Sequence, residues 1–292
     1  MTRFAALSLT AGLLALSTAP ALAEQTYLDM SASYTSSDLD GDTLDQYKGH
    51  VATELTFGKL TLSGELNGSQ LSVDDSDIGV TDFRVLLGYD VTSAFTAFVG
   101  TNQTDLEGEK ISNTLIGAEF GMNNYAFGFA YADLEIDNTS SDAWQIYADY
   151  NTDAYGAYAS VVRIEDENFY LAGFERDTSL YDASLDYTSF EDVSLADLNA
   201  SYYLRPDMRL NGTLGYYDID NSNITNVGIG AGYQVADNVW LDLNASQLKG
   251  EGDTMNSVSL TLSTEIGAPR LRASERIYSF YDLYENLYIG DF

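Results

Sequence analysis

The sequence predicts an all-β protein: a transmembrane antiparallel up-and-down β-barrel of 16–18 strands. Three observations predict it. Residues 1–23 read as an export signal. Nothing after them holds the roughly 18 consecutive apolar residues of a membrane helix. From there to the C-terminus, segments of about ten residues alternate apolar and polar side chains, as membrane-spanning strands do.

The export signal is built in the usual order. Arg3 supplies the positive start, Ala5 to Leu16 the apolar run, and Pro20 a break before the small-residue site Ala21-Leu22-Ala23. Cleavage after Ala23 predicts one domain over 24–292. The chain holds 3 Pro, too few for proline-rich linkers between domains. It has no Cys, so an exported protein must hold together without disulfides. A closed barrel does so, because every strand is paired and no edge remains.

Charge excludes one class of partner. The chain carries 13 Lys and Arg against 45 Asp and Glu, a net charge of −32. Nucleic acid needs basic patches to neutralise phosphate, and this balance offers none. The 22 Tyr and 13 Phe argue against disorder, since they supply apolar surface. Two readings of the acid excess remain: repulsion on the outer surface, or an acidic, water-filled interior.

Period two assigns faces. In 51–57, Val51, Thr53, Leu55 and Phe57 share one face, and Ala52, Glu54 and Thr56 the other. Leu60, Leu62 and Leu66 oppose Thr61, Ser63, Glu65 and Asn67. Ala196, Leu198, Ala200, Tyr202 and Leu204 oppose Asp197, Asn199, Ser201, Tyr203 and Arg205. Val239, Leu241, Leu243 and Ala245 oppose Trp240, Asp242, Asn244 and Ser246. One face suits lipid and the other water.

Connections are read as alternating in length. Short ones include Gly58-Lys59, Asn123-Asn124, Pro206-Asp207 and 236–238; longer acidic ones span 36–42, 73–82, 105–113, 133–142, 218–225 and 249–256. Tight periplasmic turns and longer external loops follow that pattern. With strands laid up and down, Tyr131, Tyr187 and Tyr216 fall near external ends on the outward face. Tyr89, Tyr150, Tyr202 and Tyr233 fall near periplasmic ends. Two aromatic belts are what two membrane interfaces impose.

Sixteen strands end near Glu265. Beyond them, 267–292 reads either as a final hairpin, making eighteen strands, or as an amphipathic tail with Leu271, Tyr278, Tyr281, Tyr284 and Tyr288 at roughly helical spacing. Closure by a last strand favours the hairpin. Either way the segment is too apolar to stay in water.

Between Leu210 and Glu265 the chain resembles the Rhodobacter-type porins of alphaproteobacteria. The residues that carry this are Tyr216-Tyr-Asp-Ile-Asp220, Val227-Gly-Ile-Gly-Ala-Gly-Tyr-Gln-Val235 and Val239-Trp-Leu-Asp-Leu-Asn-Ala-Ser246. The resemblance implies a sixteen-stranded, usually trimeric, passive diffusion channel for small hydrophilic solutes and ions in the cell outer membrane. Its surroundings would be outer-membrane lipid and lipopolysaccharide. The chain departs from that family twice. No connection is long enough to fold into the barrel as a constriction, and the chain runs on past the sixteenth strand.

Period two also sends charge inward. Glu54, Glu65, Asp90, Glu119, Asp149, Asp182, Asp186, Asp197 and Asp242 are expected to line the lumen, with Arg84, Arg205 and Arg209 among them. In the tail, Arg270, Arg272 and Arg276 share a face if that segment is a strand; otherwise they belong to a turn paired with nearby acids. Acids outnumber bases, so the expected lumen prefers cations.

Chemistry is not expected. A hydrolase of the serine type needs a Ser, a His and an orienting acid in reach. The sole histidine, His50, shares a polar face with Glu54, and no Gly-x-Ser-x-Gly accompanies it. Zinc would need His or Cys clusters. Acidic stretches at Asp38, Asp40 and Asp42 and at Asp74, Asp75 and Asp77 fall short of a calcium loop, which ends in a closing Glu. No catalytic residue, metal or cofactor is assigned. The rival reading is a structural or adhesive outer-membrane barrel without an open pore.

Overall fold

A computed structural model describes residues 24–277, apart from 40, 74–75, 107–108, 137–138, 220–221, 251–252, 268–270 and 272. The export signal therefore lies outside the described residues. Sixteen strands follow one another: β1 Glu24–Leu39, β2 Asp42–Phe57, β3 Leu60–Val73, β4 Ser76–Thr92, β5 Phe95–Leu106, β6 Glu109–Met122, β7 Tyr125–Ile136, β8 Thr139–Asn151, β9 Tyr155–Ile164, β10 Glu167–Asp177, β11 Tyr181–Phe190, β12 Val193–Arg205, β13 Met208–Ile219, β14 Ser222–Ala236, β15 Val239–Lys249 and β16 Thr254–Gly267. Each pairs antiparallel with the next. β1 then pairs with β16 from Tyr27↔Gly267 to Leu39↔Met255, so the sheet closes on itself. Closure removes the edges that an exposed sheet would offer to other chains.

The barrel closes at sixteen strands, which corrects the preference for a final hairpin. Once β16 is bonded to β15 and β1, no edge is left for a seventeenth strand. The chain instead forms a short helix, α1 (Ala273–Arg276), flanked by Leu271 and Ile277, and all of these lie inside the barrel. Residues 278–292, with Phe292, lie outside the described residues.

The expected faces are those observed. Leu60, Leu62 and Leu66 are exposed while Thr61, Ser63 and Asn67 are buried; Leu241 and Leu243 are exposed while Asp242 is buried. An apolar side chain facing outward all round a barrel fits a hydrocarbon surround and not water.

The longer connections are shorter than expected. No described pair of consecutive strands is separated by more than four residues, the longest gap being 250–253 between β15 and β16. Stretches read as loops, such as 36–39 and 76–82, are paired strand. The reason is physical. Apolar alternation marks only the part of a strand that meets lipid, whereas ladder hydrogen bonds need no apolar side chain. The strands run on beyond the apolar band with hydroxyls and acids, as where Ser140 donates to Asp133 and Tyr131 to Asp142 across β7 and β8. At the end where β1 begins, Gly58 (φ 65°), Asn123 (φ 54°) and Asn238 (φ 58°) adopt the left-handed conformation that tight reversals require.

The outward tyrosines form two rows. Tyr187 and Tyr216 both pair with Ala196, which sets them at one level on either side of β12 near the far end of the barrel. Tyr202 pairs with Leu210 and Tyr233 with Met208 near the end where β1 begins. Tyr89 lies at that same end, with the Lys59 ammonium 5.9 Å from its ring centre, and the Tyr150 ring meets that of Tyr125 at a tilt, 4.8 Å between centres. Tyr131 lies on the outward face of β7.

Candidate pore

The lumen has two unlike walls. From β4 to β8 the inward face is unexpectedly apolar. Leu86, Phe98, Leu115, Ala130 and Tyr147 are all buried and form one cluster with Leu271, Ala273 and Ile277 of the tail. Glycines make this wall flat. A Cβ at Gly117 would strike the Phe98 ring, and one at Gly128 the Tyr147 ring, so both rings lie against the backbone of the neighbouring strand.

Carboxylates of the wall satisfy the main chain of the tail. Glu54 on β2 accepts from the Leu271 N–H at 3.0 Å. Glu119 on β6 accepts from the Ala273 N–H at 3.0 Å and from the Tyr147 hydroxyl at 2.8 Å. These N–H groups open a helical turn and have no partner within it. Arg84 on β4 donates to the carbonyls of Ser274, at 2.9 Å, and Ile277, and also bonds Glu65 of β3. Gln145 on β8 donates to the Arg276 carbonyl. The Arg276 guanidinium donates to Asp149 at 2.7 Å and lies 4.2 Å from the Tyr158 ring centre on β9. The tail thus covers the wall from β2 round to β9.

The other wall, β10 to β16 and back to β1, is uncovered by α1; it is polar along most of its length, with apolar clusters around Phe169 and around Val193, Leu195 and Tyr217 towards the end far from the start of β1. Two cavities run along it. One, of about 360 Å³, is lined by hydroxyls and amides including Ser33, Gln46, Asn211, Asn244 and Thr261. The Arg209–Asp242 ion pair closes one side of it, bidentate at 2.9 and 2.7 Å, with Asn211 donating to the same carboxylate at 2.8 Å. The second, of about 470 Å³, lies between the tail and the opposite wall. Ser274 and Arg276 face it from one side, Asp186, Asp197 and Leu195 from the other, and Asp29, His50 and Glu65 from β1 to β3. Asn199 borders both cavities.

Asp186 and Asp197 sit directly opposite one another on β11 and β12. Each accepts from a tyrosine hydroxyl, Asp186 from Tyr158 at 2.9 Å and Asp197 from Tyr217 at 2.7 Å. Asp182 accepts from Tyr203, and Asp90 from Thr96 at 2.8 Å. Of the nine acids expected inward, Glu65, Asp149 and Asp242 thus meet arginines, and Asp90, Asp182, Asp186 and Asp197 accept from neutral hydroxyls.

Arg205 departs from the expectation. Period two puts it inward, but the register shifts between Tyr203 and Arg205, and its side chain lies exposed at the β12–β13 turn beside Asp207, 3.2 Å away. A bulge adds one residue and so reverses parity. The Arg270 and Arg272 side chains lie outside the described residues. The reading also missed inward groups. Asp82 is buried and accepts from Asn102 and Thr104, each at 2.7 Å. Tyr147, Tyr158 and Tyr217 point inward too; Tyr147 shares parity with Asp149, so the signal was present.

His50 is held by polar neighbours, its Nδ1 2.6 Å from the Asn67 amide oxygen and its Nε2 3.3 Å from Asp29. Among the described residues, no group of three or more His, Cys, Asp or Glu is placed to hold a metal ion. Asp40, Asp74 and Asp75 lie outside the described residues.

Comparison with known proteins agrees with this architecture. Among solved structures, the chain is similar to OccK7 (OpdD) of Pseudomonas aeruginosa, with TM-score 0.56 and 11% identity over 84% of this chain and 99% of that one. It is similar to OpdQ of the same organism, with TM-score 0.55 and 10% identity over 83% and 98%. A mutant of Rh. blastica porin aligns at TM-score 0.49 and 12% identity over 81% and 99%. No curated protein matches in sequence. At these identities the likeness to the two Pseudomonas structures speaks for the fold alone. The sequence itself matches the family model described as Gram-negative porin over residues 57–221. That stretch runs from the end of β2 into the β13–β14 connection, more than half of the chain. The protein therefore belongs to the Gram-negative porin family, whose place is the outer membrane.

Proposed function

We propose that the protein is a passive diffusion porin for small hydrophilic solutes and ions, and that it prefers cations. One observation carries the reading: a cavity runs past the tail whose lining holds four acids, Asp29, Glu65, Asp186 and Asp197, against two arginines, Arg84 and Arg276, and His50. Low-dielectric walls focus the field of such groups and raise the local cation concentration. Selection then needs only width and charge, with no catalytic step or cofactor. The likeness to Rhodobacter-type porins, carried by residues between Leu210 and Glu265, lies largely beyond the matched stretch and supports the same reading.

Reversal potentials in a potassium chloride gradient test the preference. Cation selectivity should be clear at low salt and weaken towards 1 M, where the screening length is about 3 Å. Asp186→Asn with Asp197→Asn should reduce it. Anion selectivity at low salt would contradict the reading.

A second reading has its own observation. The tail occupies much of the lumen, which suits a structural or adhesive barrel with a blocked pore. Planar-bilayer recording separates the two, because a blocked barrel gives no open-channel steps.

A further inference from the structure

We propose that residues 271–277 are the constriction of this channel. They seal the half of the lumen from β2 to β9 and leave solutes one passage along the opposite wall. The proposal rests on the diffusion reading above and adds which part of the chain sets the width.

Three observations lead there. First, no connection between strands is available for the task, since the longest described is four residues. A loop that short cannot reach the barrel axis. Second, the wall under the tail is built for an occupant. Leu86, Phe98 and Leu115 point into the lumen at mid-strand and are buried in one cluster with Leu271, Ala273 and Ile277, whereas the other inward apolar clusters, around Phe169 and around Leu195, include no tail residue. An open barrel would present this patch to water. At Gly88, a Cβ would press on the Leu271 side chain at 3.3 Å, so the wall makes room where the tail enters. Third, the contacts read the main chain. Glu54 and Glu119 take N–H groups, and Arg84 and Gln145 give to carbonyls, so these backbone groups are satisfied without water. A segment held by both its apolar side chains and its backbone is seated, not passing through.

The geometry also says which tail groups meet the solute. Ser274 and Arg276 line the cavity of about 470 Å³, facing Asp186 and Asp197, while Ala273 is fully buried against the wall.

The test uses the full-length protein in planar bilayers, with graded polyethylene glycols to read the width. Ala273→Asp places a carboxylate in the apolar seat beside Glu119 and should expel the segment. The segment covers the inner faces of β2 to β9, eight of sixteen strands, so conductance should rise about twofold and larger polymers should enter. Wild-type conductance and polymer cut-off in A273D would overturn the proposal. Should A273D fail to fold, Ser274→Cys decides. The protein has no other Cys. A bulky thiol reagent should cut its current in steps, and unchanged current after complete labelling would overturn the proposal. Silence from the intact protein with steps from A273D would overturn the diffusion reading instead, while keeping the segment in the lumen.

Discussion

The two halves of the lumen obey different rules, although both are inward faces of the same sheet. The wall from β4 to β8 is a packed core. Phe98, Leu115 and Tyr147 are buried there as side chains are in a soluble domain, and the tail supplies the second layer. Apart from an apolar cluster around Leu195 at its far end, the wall from β11 to β16 is a wetted surface of hydroxyls, amides and acids such as Asn199, Asn211 and Asp197. An up-and-down barrel does not require a uniform interior. Period two decides only which side a residue faces; what lies on that side decides whether apolar or polar residues belong there.

Substitutions that treat the two walls alike should therefore give unlike results. Phe98→Ala should cost about 3–5 kcal/mol, the usual price of removing a buried aromatic side chain. Thr261→Ala, inward on β16, should stay within about 0.5 kcal/mol. Urea unfolding in micelles compares them, and equal costs would remove the distinction between the walls.

The outward face gives the next largest effect. Leu198→Arg lies in the middle of β12 and faces lipid, so it should cost roughly 2–4 kcal/mol near the midplane. Its neighbour Asn199→Arg should fold normally and make the channel less cation-selective. The reverse ranking would mean that the faces are inverted. Leu62 is a weaker probe, because it is only the third residue of β3.

A smaller effect sharpens how the tail is held. Glu119→Ala leaves the Ala273 N–H and the Tyr147 hydroxyl without this acceptor, at roughly 1–3 kcal/mol for a buried donor left unsatisfied. Glu119→Gln keeps an acceptor oxygen and should recover part of the loss. A thermal or urea midpoint that does not separate the two variants would show that the carboxylate is not what holds the segment.

Much of this architecture was legible in the sequence. Alternation at Leu60 to Asn67 and at Ala196 to Tyr203 placed both faces correctly, because side chains in a strand leave no third option. Parity failed where the backbone broke it, at the bulge before Arg205. Strand ends were misjudged because ladder bonds outrun apolar pattern. The seat was harder. Leu86, Phe98 and Leu115 share parity with Arg84, Thr96 and Glu119, so their inward direction could be read, but nothing local says that the segment 271–277, far along the chain, covers them. The tail itself carried both a helical and a strand period, and short apolar runs do not choose between them. The pairing of β16 with β1 made that choice.

The central claim is that solutes pass along the polar wall and not along the packed one. Single-channel recording on Asn199→Cys and Leu115→Cys, each the only cysteine in its chain, tests this most directly. A bulky thiol reagent added to the open channel should react at Cys in place of Asn199 and cut the current. The thiol in place of Leu115, beneath the tail, should stay unreacted until the protein is unfolded. Rapid labelling and current block at Leu115→Cys, with Asn199→Cys inert, would contradict the account.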